Sequence, residues 1–325
     1  MGTNSAPPAS IIPIPNAVVP GHGSFTFDAD TLVSVPAHDP DAQSAADYFS
    51  NLMTRSKGPI PRIVSGNAIF GQVRPAIAFR RRAGLGPEAY RLEVTPHGIV
   101  VSATGGAGLF YGAVTLWQLM TPDKRPATAT VQAVTIPAQV IRDAPAYPWR
   151  GLMLDSARHY QSVAFIRSMI DTMALHKLNV LHWHLTDDQG WRLEILKYPR
   201  LTSVGAWRRP ATSGAAQSPS NAPYGGFYTQ AEVRDLVAYA ASRHVQIVPE
   251  IEMPGHAQAA IAAYPELGVA QEPAAAPLAV SARWGVHTHL FNVEPATFAF
   301  LEDVLDEVME LFPSNYIHVG GDEAV

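Results

Sequence analysis

The sequence of 325 residues carries 23 Lys and Arg against 28 Asp and Glu, a formal charge of -5, and no cysteine. The acidic balance, with no basic run longer than Arg80 to Arg82, argues against nucleic acid as a partner. The lack of cysteine excludes disulfides, thiolate metal sites and a cysteine nucleophile. A hydrophobic share of 47% fits a globular chain long enough for two cores, and no apolar stretch reaches the ~18 residues of a membrane span.

The opening MGTNSAPPASIIPIP lacks a basic start followed by a long apolar core, so it reads as a mature or re-engineered beginning rather than a signal peptide. From Ile11 to about Arg142 strand patterns alternate with a few helices, punctuated by Gly and Pro. Tyr90 to Thr104 predicts a hairpin: Tyr90, Leu92 and Val94 share one face, PHG turns the chain, and Ile99 and Val101 resume. Ala107 to Met120 then switches to a helical period, with Leu109, Ala113, Leu116, Trp117 and Met120 as its apolar stripe. This first part, residues 1–145, is expected to be a small α+β domain of one sheet and at least two helices.

The two prolines of Asp143 to Gly151 mark a junction, and residues 146–325 follow a different rhythm of strand then helix. Predicted strands are Arg150 to Ser156, Asn179 to Asp188, Val245 to Met253 and Tyr316 to Gly321. Predicted helices are Val163 to Lys177, Ala231 to Arg243 and Pro295 to Phe312. Apolar strands feeding helices call for a parallel sheet covered by helices. Each strand ends in polar or ionisable residues: Asp155 and Arg158, Asp187 and Asp188, Glu250 and Glu252, Asp322 and Glu323. That is the layout of a (β/α)8 barrel of the TIM type, whose chemistry lies at the C-terminal strand ends. The loops Pro210 to Gly226 and Gly268 to His289 are long enough to be functional walls or mobile segments. Four strands are half of a closed barrel, so the sequence is expected to be the first part of a longer chain.

Neighbouring residues on a strand point to opposite faces, so Asp322 and Glu323 can address one substrate only if the backbone leaves the strand. Gly320 and Gly321 permit that departure. The alternative is a Gly-Asp-Glu turn with both carboxylates in water. His182 and His184, two apart on a strand, share a face and have the spacing of a metal-binding pair. With His256 and Asp322 they could build a metal-dependent amidohydrolase. They fit equally a pair of core histidines bonded to nearby backbone, or a sugar pocket beside Trp183, Asp187 and Asp188. Arg158 offers a planar fork of donors for vicinal hydroxyls or a carboxylate, or an ion pair to a neighbouring acid. Pro254 and Gly255 place His256 at a strand end.

Together RGLMLDSARHY, LHWHLTDDQGW, VPEIEMPGH and HVGGDE, in this order and spacing, resemble the β-N-acetylhexosaminidases of glycoside hydrolase family 20. GPEAYRLEV and AGLFYGAVTLWQLM resemble the small α+β domain that precedes their barrel. The resemblance covers almost the whole chain. It implies retaining hydrolysis of terminal β-linked N-acetylglucosamine or N-acetylgalactosamine, with the substrate's acetamido oxygen as nucleophile. Carried over by motif, Glu323 becomes the general acid and base, and Asp322 the acceptor of the acetamido N–H. Asp187 and His256 form a relay behind Glu323, whose proton-holding role needs a pKa raised by burial or negative neighbours. Arg158 binds sugar hydroxyls, His182 and His184 become structural supports, and neither metal nor organic cofactor is required. The family's tyrosine and tryptophan pocket walls lie on later strands, and Trp207, Trp284 and Tyr224 are not assigned to replace them. The resemblance further implies an exported bacterial protein, periplasmic or secreted, and a chain of impaired activity without its remaining strands. A non-enzymatic sugar-binding relative is the other alternative; substrate, linkage and oligomeric state stay open.

Overall fold

The computed structural model describes residues 11–66, 76–121, 132–209, 222–270 and 277–325. The expected long loops from Pro210 and from Gly268 fall partly on 210–221 and 271–276, outside the described residues. The chain divides into two compact units, Met1–Pro148 with Leu175–Lys177, and Trp149–Ala174 with Leu178–Val325. Among the described residues no helix is long and apolar enough to cross a membrane.

The first unit contains β1 (Ala17–Asp28), β2 (Leu32–Val35), α1 (Pro40–Arg55), β3 (Arg62–Ser65) and β4 (Ala76–Arg81), then β5 (Tyr90–Thr95), β6 (Gly98–Ala103), α2 (Gly106–Met120) and β7 (Ala133–Asp143). Its seven strands form one mixed sheet in the order β1-β7-β5-β6-β4-β2-β3. The expected hairpin is β5 and β6, paired antiparallel from Tyr90 opposite Ala103 to Thr95 opposite Gly98. Asp39 caps α1 by accepting the Ala42 N–H, and Pro40 begins the helix where a missing N–H costs nothing. The helix α2 differs from the single stripe expected of it. It is buried on nearly all sides, with Trp117 only partly covered. Gly112 explains how it lies so close to the sheet, since a Cβ there would stand 2.4 Å from a Val101 methyl.

The second unit begins with β8 (Gly151–Asp155), α3 (Val163–Leu175) and β9 (Val180–His184). A hairpin of β10 (Thr186–Asp187) and β11 (Gly190–Trp191) follows, then α4 (Arg200–Ser203) and the short pair β12 (Trp207–Arg208) and β13 (Tyr224–Gly225). The unit continues with α5 (Gln230–Ala241), β14 (Gln246–Glu250), α6 (Gln258–Ala263) and α7 (Pro295–Leu311). The parallel ladder runs β14-β9-β8. Its register places Asp155, His184 and Glu250 side by side in one row across the sheet. Alternation along β9 turns His182 and His184 to one face and Trp183 to the other, where it is fully buried. The helices cover that second face with residues at helical spacing: Ile166, Ile170 and Met173 of α3, Val233, Leu236 and Ala240 of α5, and Phe300, Val304 and Val308 of α7.

The fold class is α/β, with βα units of the TIM-barrel type after a small α+β domain. Two expected strands differ: Asn179 to Asp188 divides into β9 and β10, the latter paired with β11 in a separate two-stranded sheet. Tyr316 to Gly321 forms no strand, and a single parallel bridge joins His318 to Glu250. His318 donates its N–H to Pro249 O at 2.9 Å and accepts from Ile251 N, and Val319 O accepts from Met253 N. The segment therefore follows the edge of β14 but leaves it before a ladder forms, because Gly320 and Gly321 take φ of 64° and 97°.

Candidate active site

Three turns after strand ends supply the site. After β8, Ser156 to Arg158 turn away, and Arg158 donates its backbone N–H to Asp155 Oδ1 at 3.0 Å. After β9, the tight β10–β11 hairpin holds Asp187, Asp188 and Gln189 in a buried cluster. After β14, Glu252 is followed by a cis Met253–Pro254 bond and by His256, whose φ of 49° is left-handed. Such a conformation is uncommon outside glycine and is held by its surroundings.

The Asp187 carboxylate is the centre. Its Oδ2 accepts from Arg158 Nη2 at 2.6 Å and lies 2.8 Å from His184 Nε2. Its Oδ1 accepts from the Asp188 N–H at 2.6 Å and lies 3.3 Å from His256 Nδ1. His256 Nδ1 is closer to Asp188 Oδ2, at 3.1 Å, so two buried carboxylates face this ring nitrogen. The other nitrogen, Nε2, faces the terminal pair at 3.5 Å from Glu323 Oε2 and 3.7 Å from Asp322 Oδ2. Burial pushes the His256 pKa down, but the charges of Asp187 and Asp188 outweigh it and raise the net value. The imidazole can therefore carry a proton between the two acidic groups.

Arg158, Asp187, His256, Asp322 and Glu323 are thus linked through an unbroken run of contacts. Of the two sources expected to raise Glu323, burial is small: its side chain is 50% exposed and that of Asp322 68%. Glu252 has a raised carboxyl, pushed up to about 8 by burial and by a hydrogen bond and charge from Glu250. Glu252 also explains why residue 320 is glycine. A Cβ there would stand 1.6 Å from Glu252 Oε2, so the buried carboxyl fills the space a side chain would need.

His182 and His184 converge on one carboxylate, Glu250, at 2.6 and 2.7 Å, and His318 Nδ1 approaches its other oxygen at 3.0 Å. Burial raises Glu250, yet the hydrogen bonds from His182 and His184 outweigh it and hold the carboxylate well below its usual range. His184 is opposed by burial but hydrogen-bonded by Asp187 and Glu250 and pushed up to about 10, so it is an imidazolium between two carboxylates. Four sets of residues lie close enough to share a cation: His182 with Glu250 and His318, His184 with Glu250 and Glu252, Asp187 with Asp188 and His256, and His256 with Asp322 and Glu323. The separations at Glu250 are hydrogen-bond lengths, shorter than the roughly 3.3 Å between ligand atoms around a tetrahedral zinc at ~2.0 Å. The two histidines act here as supports that fix the row Asp155, His184 and Glu250.

Sequence reading missed the parts played by Asp188, Glu252 and Gln189. Gln189 Oε1 accepts from Arg158 Nε at 3.1 Å, and its amide donates to Arg283 O at 2.8 Å. The duplicated acid in TDDQ was the available signal for Asp188, and the alternation EIE for Glu252. Arg192, fully buried, donates to the carbonyls of Ser156, Ala157, Gln189, Ala206 and Gly226. It fastens the loops around the site to one another. Trp284 lies with its ring centroid 5.1 Å from the Arg158 guanidinium.

Residues 147–325 match the family model of glycosyl hydrolase family 20, catalytic domain, and residues 9–144 that of glycosyl hydrolase family 20, domain 2. A beta-hexosaminidase of Porphyromonas gingivalis is 41% identical over 97% of this chain and 39% of its own length. A solved N-acetyl-beta-hexosaminidase of Streptomyces plicatus, in complex with Thio-NAglucal, superposes with a TM-score of 0.83 at 35% identity, covering 99% of this chain and 61% of that one. An exo-beta-N-acetylglucosaminidase of Vibrio harveyi, in complex with N-acetylglucosamine, gives 0.80 at 33% identity over 96% of this chain and 46% of that one. The chain thus spans between about two fifths and three fifths of the length of these proteins.

Proposed function

Since the chain belongs to glycoside hydrolase family 20, we propose that its site serves retaining exo-hydrolysis of terminal β-linked N-acetylglucosamine or N-acetylgalactosamine, by substrate-assisted catalysis. Glu323 protonates the glycosidic oxygen as the C1–O bond breaks, and the acetamido carbonyl oxygen of the same sugar bonds to C1. Asp322 accepts the acetamido N–H, orienting the amide and opposing the positive charge that grows on the resulting oxazolinium ring. Glu323, now a carboxylate, takes a proton from the water that opens that ring at C1, so two inversions restore the β configuration.

The observation that carries this reading is the placement of His256, with Asp187 and Asp188 on one ring nitrogen and Asp322 and Glu323 on the other. The imidazole, held between the buried carboxylates and Glu323, keeps its proton through the cycle and steadies Glu323 electrostatically while that group is a carboxylate, after its proton has gone to the leaving oxygen and before water returns one. Arg158, braced by Asp187, Asp155 and Gln189, holds the hydroxyls of the terminal sugar. The roles require no metal, and membership of this family removes the metal-dependent amidohydrolase as a reading of the His182 and His184 spacing. The reading extends to an exported location, periplasmic or secreted, where glycan substrates are met.

The test compares 4-nitrophenyl N-acetyl-β-glucosaminide with the corresponding amine that lacks the acetyl group, using NMR to read the anomer first released. Release of the β anomer from the acetylated substrate alone is expected, with Glu323→Gln lowering turnover about 10²-fold or more. Equal turnover of the amine, or release of the α anomer, would overturn the mechanism.

A further inference from the structure

A cleft of about 1140 Å³ opens beside Arg158 and extends past it to residues with no role in the chemistry above. Arg158, Arg208, Arg209, Arg283, His287 and His289 line it, and among the described residues none of its lining is acidic. The charge of Arg158 is met by Asp155 and Asp187. Arg208 differs. It is only 8% exposed, it donates to the carbonyls of Gln189 and Arg158, and its Nε has no hydrogen-bond partner.

Arg192 is likewise buried and hydrogen-bonded only to carbonyls; burial, and then the charge of Arg208, lower its pKa, and burial lowers that of Arg208, with the charge of Asp155 opposing in both. Among the described residues, the guanidiniums of Arg192 and Arg208 meet only carbonyl oxygens, and that of Arg283 has no carboxylate within ion-pair distance. Buried cations without a direct ion pair are costly, and a cleft lined by Arg208 and Arg283 concentrates anions. The cleft also shares its frame with the proposed sugar site, because Gln189 ties Arg158 to the Arg283 backbone. Gln258, another buried lining residue, donates its backbone N–H to Asp188 while its own Oε1 lacks a partner. Trp284, 77% exposed and stacked near Arg158, presents a flat apolar face at the boundary.

We infer that the cleft is an anion-binding subsite, and that the saccharide held at Arg158 carries an acidic substituent, a sulfate ester or a carboxylate, that lodges against Arg208 and Arg283. The anion site stands on the cleft alone. Its assignment to a substrate rests on the glycosidase reading.

Isothermal titration calorimetry of the whole chain with sodium sulfate, N-acetylglucosamine, its 6-sulfate and N-acetylmuramic acid separates these parts. The variants are Arg283→Ala and Arg209→Ala/Arg283→Ala, both on the rim and outside the proposed catalytic set. Sulfate is expected to bind the unaltered chain and to weaken roughly fivefold in the double variant and in high salt. At least one acidic sugar is expected to bind roughly tenfold more tightly than N-acetylglucosamine. The double variant should abolish that advantage and leave N-acetylglucosamine affinity unchanged. The 6-sulfate and the muramic acid tell a sulfate ester from a carboxylate. Sulfate affinity unaltered by the double variant overturns the anion site. Acidic sugars bound no more tightly than the neutral one, or sulfate bound with no sugar bound at all, overturn its assignment to a substrate.

Discussion

Replacing Glu252 by glutamine tests the electrostatics behind the site. Burial and Glu250 raise the Glu252 pKa from the ordinary 4.5 to about 8. Because the folded value lies above the unfolded one, the stability contributed by the protonated carboxyl is complete below pH 4.5 and is lost as pH rises toward 8. Each pH unit in that window removes about 1.4 kcal/mol, so the window as a whole sets an upper bound of about 5 kcal/mol. Sharing of one proton with Glu250 and relaxation by solvent reduce the expected loss to about 2 kcal/mol. Glutamine keeps the shape and a donor toward Glu250 but cannot ionise. Urea unfolding of both proteins from pH 5 to pH 8 should therefore show Glu252→Gln gaining about 2 kcal/mol relative to the parent across the window. Infrared spectra should show a protonated carboxyl band near neutral pH that the variant lacks. Parallel stability profiles, with the band retained in the variant, would refute the assignment of the raised pKa to Glu252.

Gly320→Ala should cost at least about 1 kcal/mol for its left-handed backbone, and more from the Cβ position 1.6 Å from Glu252 Oε2. Adding Glu252→Ala should recover the steric part in the same urea titration, whereas equal losses in the single and double variants would count against the contact. Arg192→Met removes the donor shared by five carbonyls and should lower stability by about 3 kcal/mol, read from thermal unfolding of the second unit. Thr229→Ala deletes the reciprocal cap with Glu232 at the start of α5 and should cost about 1 kcal/mol by urea midpoint.

Much of the architecture is legible in the sequence because it is local. Alternation and the PHG turn give the β5–β6 hairpin, and helical periods give α3, α5 and α7 within one or two residues of their ends. What stayed hidden depends on contacts across long separations. Nothing near Asp188 announces that its carboxylate meets His256, 68 residues later. Gly320 and Gly321 do signal that the backbone can leave the strand there, but not that the pairing before them shrinks to a single bridge. The strand-end rule located the five candidate residues; the unequal treatment of Glu250 and Glu252, two residues apart, follows only from which carboxyl the histidines reach.

The Arg192 guanidinium binds backbone rather than side chains, at positions 156, 157, 189, 206 and 226. A backbone oxygen does not depend on the side chain of its own residue, so this anchorage asks only that the chain keep its path, as Gly226 does with a φ of 154° and Tyr160 2.9 Å from where a Cβ would stand. Exposed side chains around these loops, such as Arg209 and Trp284, can accordingly change while the geometry stays pinned, a division of labour that lets specificity drift without dismantling the scaffold beneath it.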